Sequence, residues 1–304
     1  MKCSYHPGYQ IPLPSGHPFP ISKYPLLKDR LLAEGVLAPD DLVEPIPVGR
    51  ETLALVHTPE YLDKLESSGL SAAEERKLGM PWSEQLWQRS RLACGGTLLA
   101  AHTALKTGLA ANLAGGTHHA FADHGEGFCV LNDVAVAIAT LRKEAFIGRA
   151  LVVDLDVHQG NGTAAIFAGV DEVFTFSMHG ERNYPTEKMH SDVDVGLKNG
   201  TGDAEYLRLL NEHLPVVLGR AEAEMTFYLA GVDVAVGDRY GKLTLSEEGI
   251  RLRDRYVIES VRSRGIPLVI VLGGGYAATQ ERTAELHAHV FREAVAYERN
   301  GRIL

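Results

Sequence analysis

Four short segments limit what this chain can fold into. Ala150–Leu155, Val173–Met178, Thr226–Val232 and Leu268–Leu272 are each four to eight residues long and rich in β-branched side chains. None alternates apolar with polar; each is apolar on both faces. Such a run needs cover on both sides, which is how the buried strands of a parallel sheet read. Segments with helical spacing lie around them. From Glu84 to Lys106 the apolar positions include Leu86, Leu92, Leu98, Leu99 and Leu105. From Asn132 to Ala145, an N-cap pair at Asn132-Asp133 leads into Val134, Val136, Ile138 and Leu141. Further helices are predicted at 203–219, 245–264 and 280–298, the second opening with Glu247 and Glu248 behind Ser246. Strands alternating with helices imply βαβ units in an α/β layer sandwich. No stretch in the middle reads as a linker, so residues 1–304 are expected to form a single domain. The first 60 residues are rich in Pro, Gly and His, and within them YHPGYQIPLPSGHPFP at 5–20 reads as irregular surface chain or as a loop lining something.

Composition narrows the function. Hydrophobic residues make up 45% and charged residues 23% of the chain, which excludes a disordered or fibrous protein. The formal net charge of −9 argues against a dedicated nucleic-acid binder, whose footprint would be a basic face, but leaves room for a local pocket that takes a cation. Cys3, Cys94 and Cys129 are an odd number with no CxxC pair, which suits a reducing compartment better than a disulfide framework. No apolar h-region follows Lys2, and no apolar run approaches the span of a bilayer. A cytoplasmic protein without membrane attachment is expected.

The chemistry sits where the strands end. Asp154-Leu155-Asp156-Val157-His158 closes the first run, Asp233 follows the third, and Gly273-Gly274-Gly275-Tyr276 follows the fourth. In open α/β sheets the ligand crevice lies outside the carboxyl ends of the strands, so these groups should converge. In extended chain Asp154, Asp156 and His158 share one face. Standing alone, that segment could equally cap a helix starting near Gly160. With Asp233 added, one His and two Asp with a position left for water form a candidate three-ligand zinc site, which Fe²⁺ or Mn²⁺ would also suit. His118-His119, after Gly115-Gly116, supplies imidazoles that can move protons, with Asp154 and Asn161 available to orient them. Phe128 is an aromatic that could wall a narrow channel, and the Tyr276 phenol can donate to an oxyanion.

These residues resemble the histone deacetylase superfamily, zinc-dependent amidohydrolases with an arginase-like fold. The likeness is carried by GGTHHAF, GEGFCVLND, VVDLDVHQGNGT, FSMHGERNYP, LAGVDVAVGDRYGKL and LGGGY, in the family's order from residue 115 to 276. Together with HPFP at 17–20 and VHTPEYLDKL at 56–65, DVHQGNGT and GDRYGKLTLS are most similar to class IV members and their bacterial relatives. The resemblance implies a single-domain three-layer α/β/α sandwich around a mostly parallel sheet of roughly eight strands. It makes Asp156, His158 and Asp233 the zinc ligands, and His118 and His119 the catalytic pair, backed by Asp154 and Asn161 respectively. Tyr276 becomes the carbonyl-polarising phenol, and Gly127 and Phe128 become walls of an acyl-lysine tunnel. A structural K⁺ is implied at Asp154, Asp156, His158, Ser177 and Met178. The implied reaction is hydrolysis of an N-acyl amide, most simply acetyl, on lysine in a protein or peptide or on a small amine. Asn161 stands where class I enzymes carry Asp, and its neutral amide should leave His119 less basic. No long basic tail is present for docking on chromatin.

Three other functions compete. A binuclear-manganese ureohydrolase on the same fold would use Asp-x-His-x-Asp, but position 160 is Gly. A catalytically dead acyl-lysine reader would be expected to have lost a member of the ligand or acid–base set, and none is missing. A nucleotide-binding protein would need glycine spacings that Gly273–Gly275 lacks.

Overall fold

All four apolar runs become strands of one eight-stranded sheet in a computed structural model, which describes residues 1–301. The amino-terminal part contributes β1 (Lys2–Ser4), α1 (Lys23–Ala33), β2 (Leu42–Val43), α2 (Arg50–Leu53), α3 (Pro59–Glu66) and α4 (Ala72–Leu78). The middle follows with α5 (Glu84–Thr107), β3 (Leu109–Asn112), α6 (Asp133–Lys143), β4 (Ala150–Asp154), α7 (Asn161–Ile166), β5 (Val173–Gly180) and β6 (Val193–Leu197). The remainder is α8 (Asp203–Ala221), β7 (Met225–Leu229), α9 (Glu247–Arg262), β8 (Leu268–Val271) and α10 (Gln280–Gly301). The predicted helices match α5, α6, α8, α9 and α10 to within a few residues. Asn132 caps α6 by accepting from Ala135 N at 3.0 Å, and Ser246 caps α9 by accepting from Gly249 N at 3.0 Å.

Strand residues alternate between two cores. Ala150 and Val152 face Ala101, Ala104, Val134 and Ile138 of α5 and α6. Leu151 and Val153 join the core that contains Leu210, Ile250 and Leu286 of α8, α9 and α10. Helices thus cover both faces, which is why the strands lack polar alternation. All strand pairs are parallel among the described residues. No described helix is long and apolar enough to cross a membrane.

Residues 10–22 do run as irregular chain, and Phe19 lines the chamber beside His118 and His119, so the segment 5–20 is a loop lining something rather than surface chain; the rest of the first 60 residues is built into the fold. β1 lies between β2 and β3 inside the sheet, and α1 packs on α10 with Leu27 and Leu31 fully buried. Strands of two or three residues are too short to show a period, and their Pro- and His-rich surroundings hide them.

The strand order is β2-β1-β3-β8-β7-β4-β5-β6. From β4 the chain moves through α7 outward to β5. From β7, β4's other neighbour, it moves through α9 the opposite way to β8. Adjacent strands whose connections diverge leave a crevice at their carboxyl ends, the topological switch point of an open α/β sheet. Asp154 pairs with Leu229 in the register, so the segments that follow open side by side.

Candidate active site

Loops from four neighbouring strands meet over this crevice. After β3 runs Gly115-Gly116-Thr117-His118-His119, held by the fully buried carboxylate of Asp133. Its oxygens accept from Thr117 N at 2.8 Å, Gly116 N at 3.1 Å and Thr97 Oγ1 at 2.5 Å. Asn132 therefore caps the helix while Asp133 fixes the histidine loop. The two imidazoles lie 4.2 Å apart between ring centres. His118 Nδ1 is 2.6 Å from Asp154 Oδ2, and His119 Nδ1 is 2.6 Å from Asn161 Oδ1.

The predicted metal ligands come together, although not by strand alternation. β4 ends at Asp154, and Asp156 and His158 lie in the turn beyond it. That turn is held by hydrogen bonds from Asp156 N to Asp154 Oδ1 (3.1 Å) and from Val157 N to Asp233 Oδ1 (2.9 Å). His158 Nδ1 then lies 3.0 Å from Asp156 Oδ1 and 3.1 Å from Asp233 Oδ2. Ligands about 2.0 Å from a tetrahedral ion stand about 3.3 Å apart, so these separations suit one small cation. Both carboxylates are fully buried, and Asp233 Oδ2 is left without a hydrogen-bond partner although His158 Nδ1 stands nearby. A buried carboxylate oxygen left this way, with a second carboxylate beside it, is what a cation would satisfy. Gly274 closes the cradle: its N donates to Asp156 Oδ2 at 2.6 Å, and a Cβ there would stand 2.0 Å from Asp233 Oδ2.

The electrostatics separate the two histidines. Burial lowers the pKa of His118, but the charges of Asp154 and Asp156 outweigh it and raise the group to about 9. His119, buried beside His118 and His158 with only a neutral amide as partner, is held well below the usual histidine value. In the metal-free protein burial also lowers His158, and the two carboxylates overcome this and raise it to about 10.

Phe128, Tyr184 and Tyr276 wall a cavity of about 340 Å³ that reaches His119 and His158, with Lys77 and Lys242 at its rim. A smaller chamber of about 30 Å³ lies beyond it, touching His118, Asp156 and Tyr276. Gly127 (φ +56°) and Phe128 (φ +69°) are both in the left-handed region. A Cβ at Gly127 would press within 2.6 Å of His119 Cδ2, so that position requires glycine. Phe128 costs about 1 kcal/mol of backbone strain in presenting its ring to the cavity. The Tyr276 ring centre is 6.5 Å from that of His158 and 6.0 Å from that of Phe128. Its backbone N donates to Asp238 Oδ2 at 2.6 Å. Ser177, at 3% exposure, pairs with Asp154 in the β4–β5 register, and its hydroxyl lies 2.9 Å from His179 Nδ1.

Several site residues were not foreseen from the sequence. Lys23, just beyond the segment read as irregular, is buried and donates to Gly273 O at 2.8 Å. Burial lowers its pKa to about 8 against the opposing pull of Asp233 and Asp156. Glu126 and Tyr184 lie inside motifs quoted above, yet carried no signal of their own. Their roles depend on contacts with Asn161 and Lys77 that no local pattern encodes.

The histone deacetylase domain model matches residues 17–293. An uncharacterized protein of Picosynechococcus is 45% identical over 95% of this chain and 97% of its own. Histone deacetylase 2 of Arabidopsis thaliana is 34% identical over 88% of this chain and 71% of its own. A crystal structure of a histone deacetylase homolog complexed with SAHA superposes with a TM-score of 0.82 at 28% identity, covering 97% of this chain and 84% of that one.

Proposed function

The chain belongs to the histone deacetylase family and is a metal-dependent deacetylase; from that premise we propose that Asp156, His158 and Asp233 hold a zinc ion and that His118, His119 and Tyr276 carry the hydrolysis of an acyl-lysine or a related acyl amine. One observation supports this above the rest: His158 Nδ1 stands 3.0 and 3.1 Å from two fully buried carboxylates, with an imidazole pair beside it. When bound, the ion supplies a Lewis acid that polarises the amide carbonyl and acidifies water. The chain's own groups do the rest. Phe128 and Tyr184 sheath the substrate methylenes and exclude water, with Gly127 leaving room for His119. His119, tied through Nδ1 to Asn161, keeps Nε2 as its free nitrogen and takes the proton of the attacking water. His118, charged through Asp154, gives electrostatic support. Tyr276 donates to the developing oxyanion. The leaving amine, with a pKa of about 10, needs a proton as it departs, and the charged imidazole returns one.

We also assign a structural K⁺ to Asp154, Asp156, His158, Ser177 and Met178, supported by the adjacent buried ends of β4 and β5. A single catalytic domain over residues 1–304 is supported by one sheet that draws strands from Lys2 to Val271. A cytoplasmic setting is supported by three buried free cysteines.

The test is turnover of an acetyl-lysine peptide and an acetylated polyamine by metal-quantified protein. One divalent ion per chain is expected, removed together with activity by chelation and restored by Zn²⁺. Asp233→Ala should lose both. Full metal content in that variant would overturn the ligand assignment, and two ions per chain would favour the ureohydrolase.

A further inference from the structure

His119 can serve as a base at Nε2 only while its proton resides on Nδ1, and a neutral amide alone does not ensure this. Asn161 presents a carbonyl at one end and an NH₂ at the other, in nearly the same shape. Turned one way, Oδ1 accepts the Nδ1 proton and leaves Nε2 free. Turned the other way, the NH₂ donates to Nδ1 and the proton must move to Nε2. Something beyond Asn161 has to choose.

Glu126 stands at that position. It is 5% exposed, and its Oε1 lies 2.6 Å from Asn161 Nδ2 and 2.8 Å from the Tyr184 hydroxyl. Its Oε2 is 2.9 Å from Lys77 Nζ. Burial works against its ionisation, but the Lys77 ammonium and the donors Asn161 and Tyr184 prevail and lower its pKa. An ionised carboxylate has no proton to give. Only the NH₂ of Asn161 can face it, since a carbonyl there would set two acceptor oxygens 2.6 Å apart. The Asn161 carbonyl is thereby turned to His119.

We propose that Glu126 is a positioning residue for the deacetylation: it locks the Asn161 amide so that His119 carries its proton on Nδ1 and offers Nε2 to the substrate. The inference rests on His119 being the base. The chain Glu126–Asn161–His119 gives the neutral amide the anionic end that a carboxylate at position 161 would have supplied directly. It also joins the base to the tunnel, because Tyr184 shares the same Oε1 and packs edge-on against His119 with 5.0 Å between ring centres.

The proposal is tested on zinc-loaded full chain by two measurements. Imidazole ¹⁵N NMR, with His119 assigned by loss of its signals in His119→Phe, reads the tautomer without any substrate. Glu126→Ala should turn a single Nδ1–H form into a mixture with the Nε2–H form. It should lower kcat by about tenfold, with KM changed less than about threefold and zinc content unchanged. An unaltered tautomer in Glu126→Ala overturns the proposal.

The second measurement is a double-mutant cycle. Asn161→Asp alone sets a new carboxylate against Glu126 and should cost about tenfold or more in kcat. Adding Glu126→Gln supplies an amide donor to that carboxylate and should restore most of the loss, although Glu126→Gln impairs the parent. Effects that simply add would overturn the proposal. If the wild-type chain turns over no acyl substrate, the proposed function fails, while the tautomer measurement still decides the role of Glu126.

Discussion

Two chemically identical side chains, His118 and His119, adjacent in sequence and both buried, are driven apart by their partners. Asp154 and Asp156 raise His118 to about 9, whereas His119 is pushed well below the ordinary value by burial and by its charged neighbours. At neutral pH one imidazole is a fixed charge and the other an available base. His119→Ala should therefore lose about 10²-fold or more in kcat, and His118→Ala distinctly less, with zinc retained in both. Parallel kinetics and metal analysis check this, and equal losses would contradict the division of labour. Much of this arrangement was legible in the sequence because the groups lie on short motifs: the proposed ligands, both histidines, their partners and Tyr276 follow from strand ends and family resemblance. Lys23, Glu126 and Tyr184 were not, since each matters only through residues dozens of positions away.

Between elements, the decisive junction is where α9 meets the turns after β4 and β7. Arg253, fully buried, donates through Nη1 to Gly231 O at 2.6 Å and Leu155 O at 3.3 Å, and through Nε to Asp254 Oδ1 at 2.9 Å. The Tyr228 hydroxyl on β7 donates to the same Asp254 oxygen at 2.6 Å. One guanidinium thus ties down the residues next to Asp156 and two before Asp233. Removing one partner of a buried ion pair leaves the other charge uncompensated, which typically costs about 3–5 kcal/mol. Arg253→Ala should lower stability by about that amount in denaturant unfolding and weaken metal retention. Wild-type metal affinity with only a stability loss would show that the clamp is purely structural. The helices of this region are plain from periodicity, yet their polar clamp is not. Nothing in the local pattern of α9 marks Arg253 and Asp254 as a buried pair, because the pairing depends on β7 packing against them.

For the molecule as a whole, the proposed metal would compete with protons for one cluster. Without metal, Asp156 and Asp233 hold His158 protonated up to about pH 10, above the unfolded value of 6.5. The stabilisation from that raised pKa is fully present below pH 6.5 and is lost as pH rises through about 10. A cation must displace the same proton. Affinity should therefore rise by about tenfold per pH unit between pH 7 and 9, with about one proton released. The gap in Tm between loaded and chelated protein should widen over the same range. At metal about 1,000 times above Kd the gap should be about 6 °C or more. Chelator competition and calorimetry in buffers of different ionisation heat measure both quantities, and a pH-independent affinity would remove His158 from the ligand set.

The order of strands across the sheet has a consequence for how the chain is made. β4 lies beside β7 rather than beside a strand that precedes it, so the site is stitched from segments far apart in the chain. A ribosome that has released the first two hundred residues has delivered both histidines, Asp156 and His158, but neither Asp233 nor Tyr276. Nascent chain at that stage has two of the three proposed ligands and lacks the strand that aligns them. Capture of the ion must wait until β7 and β8 have slotted between β4 and β3, a late and non-local step of the kind that parallel sheets make slow. On the proposed ligand set, half-made chains would be unable to complete the metal centre, and its occupancy would mark a molecule that has finished folding.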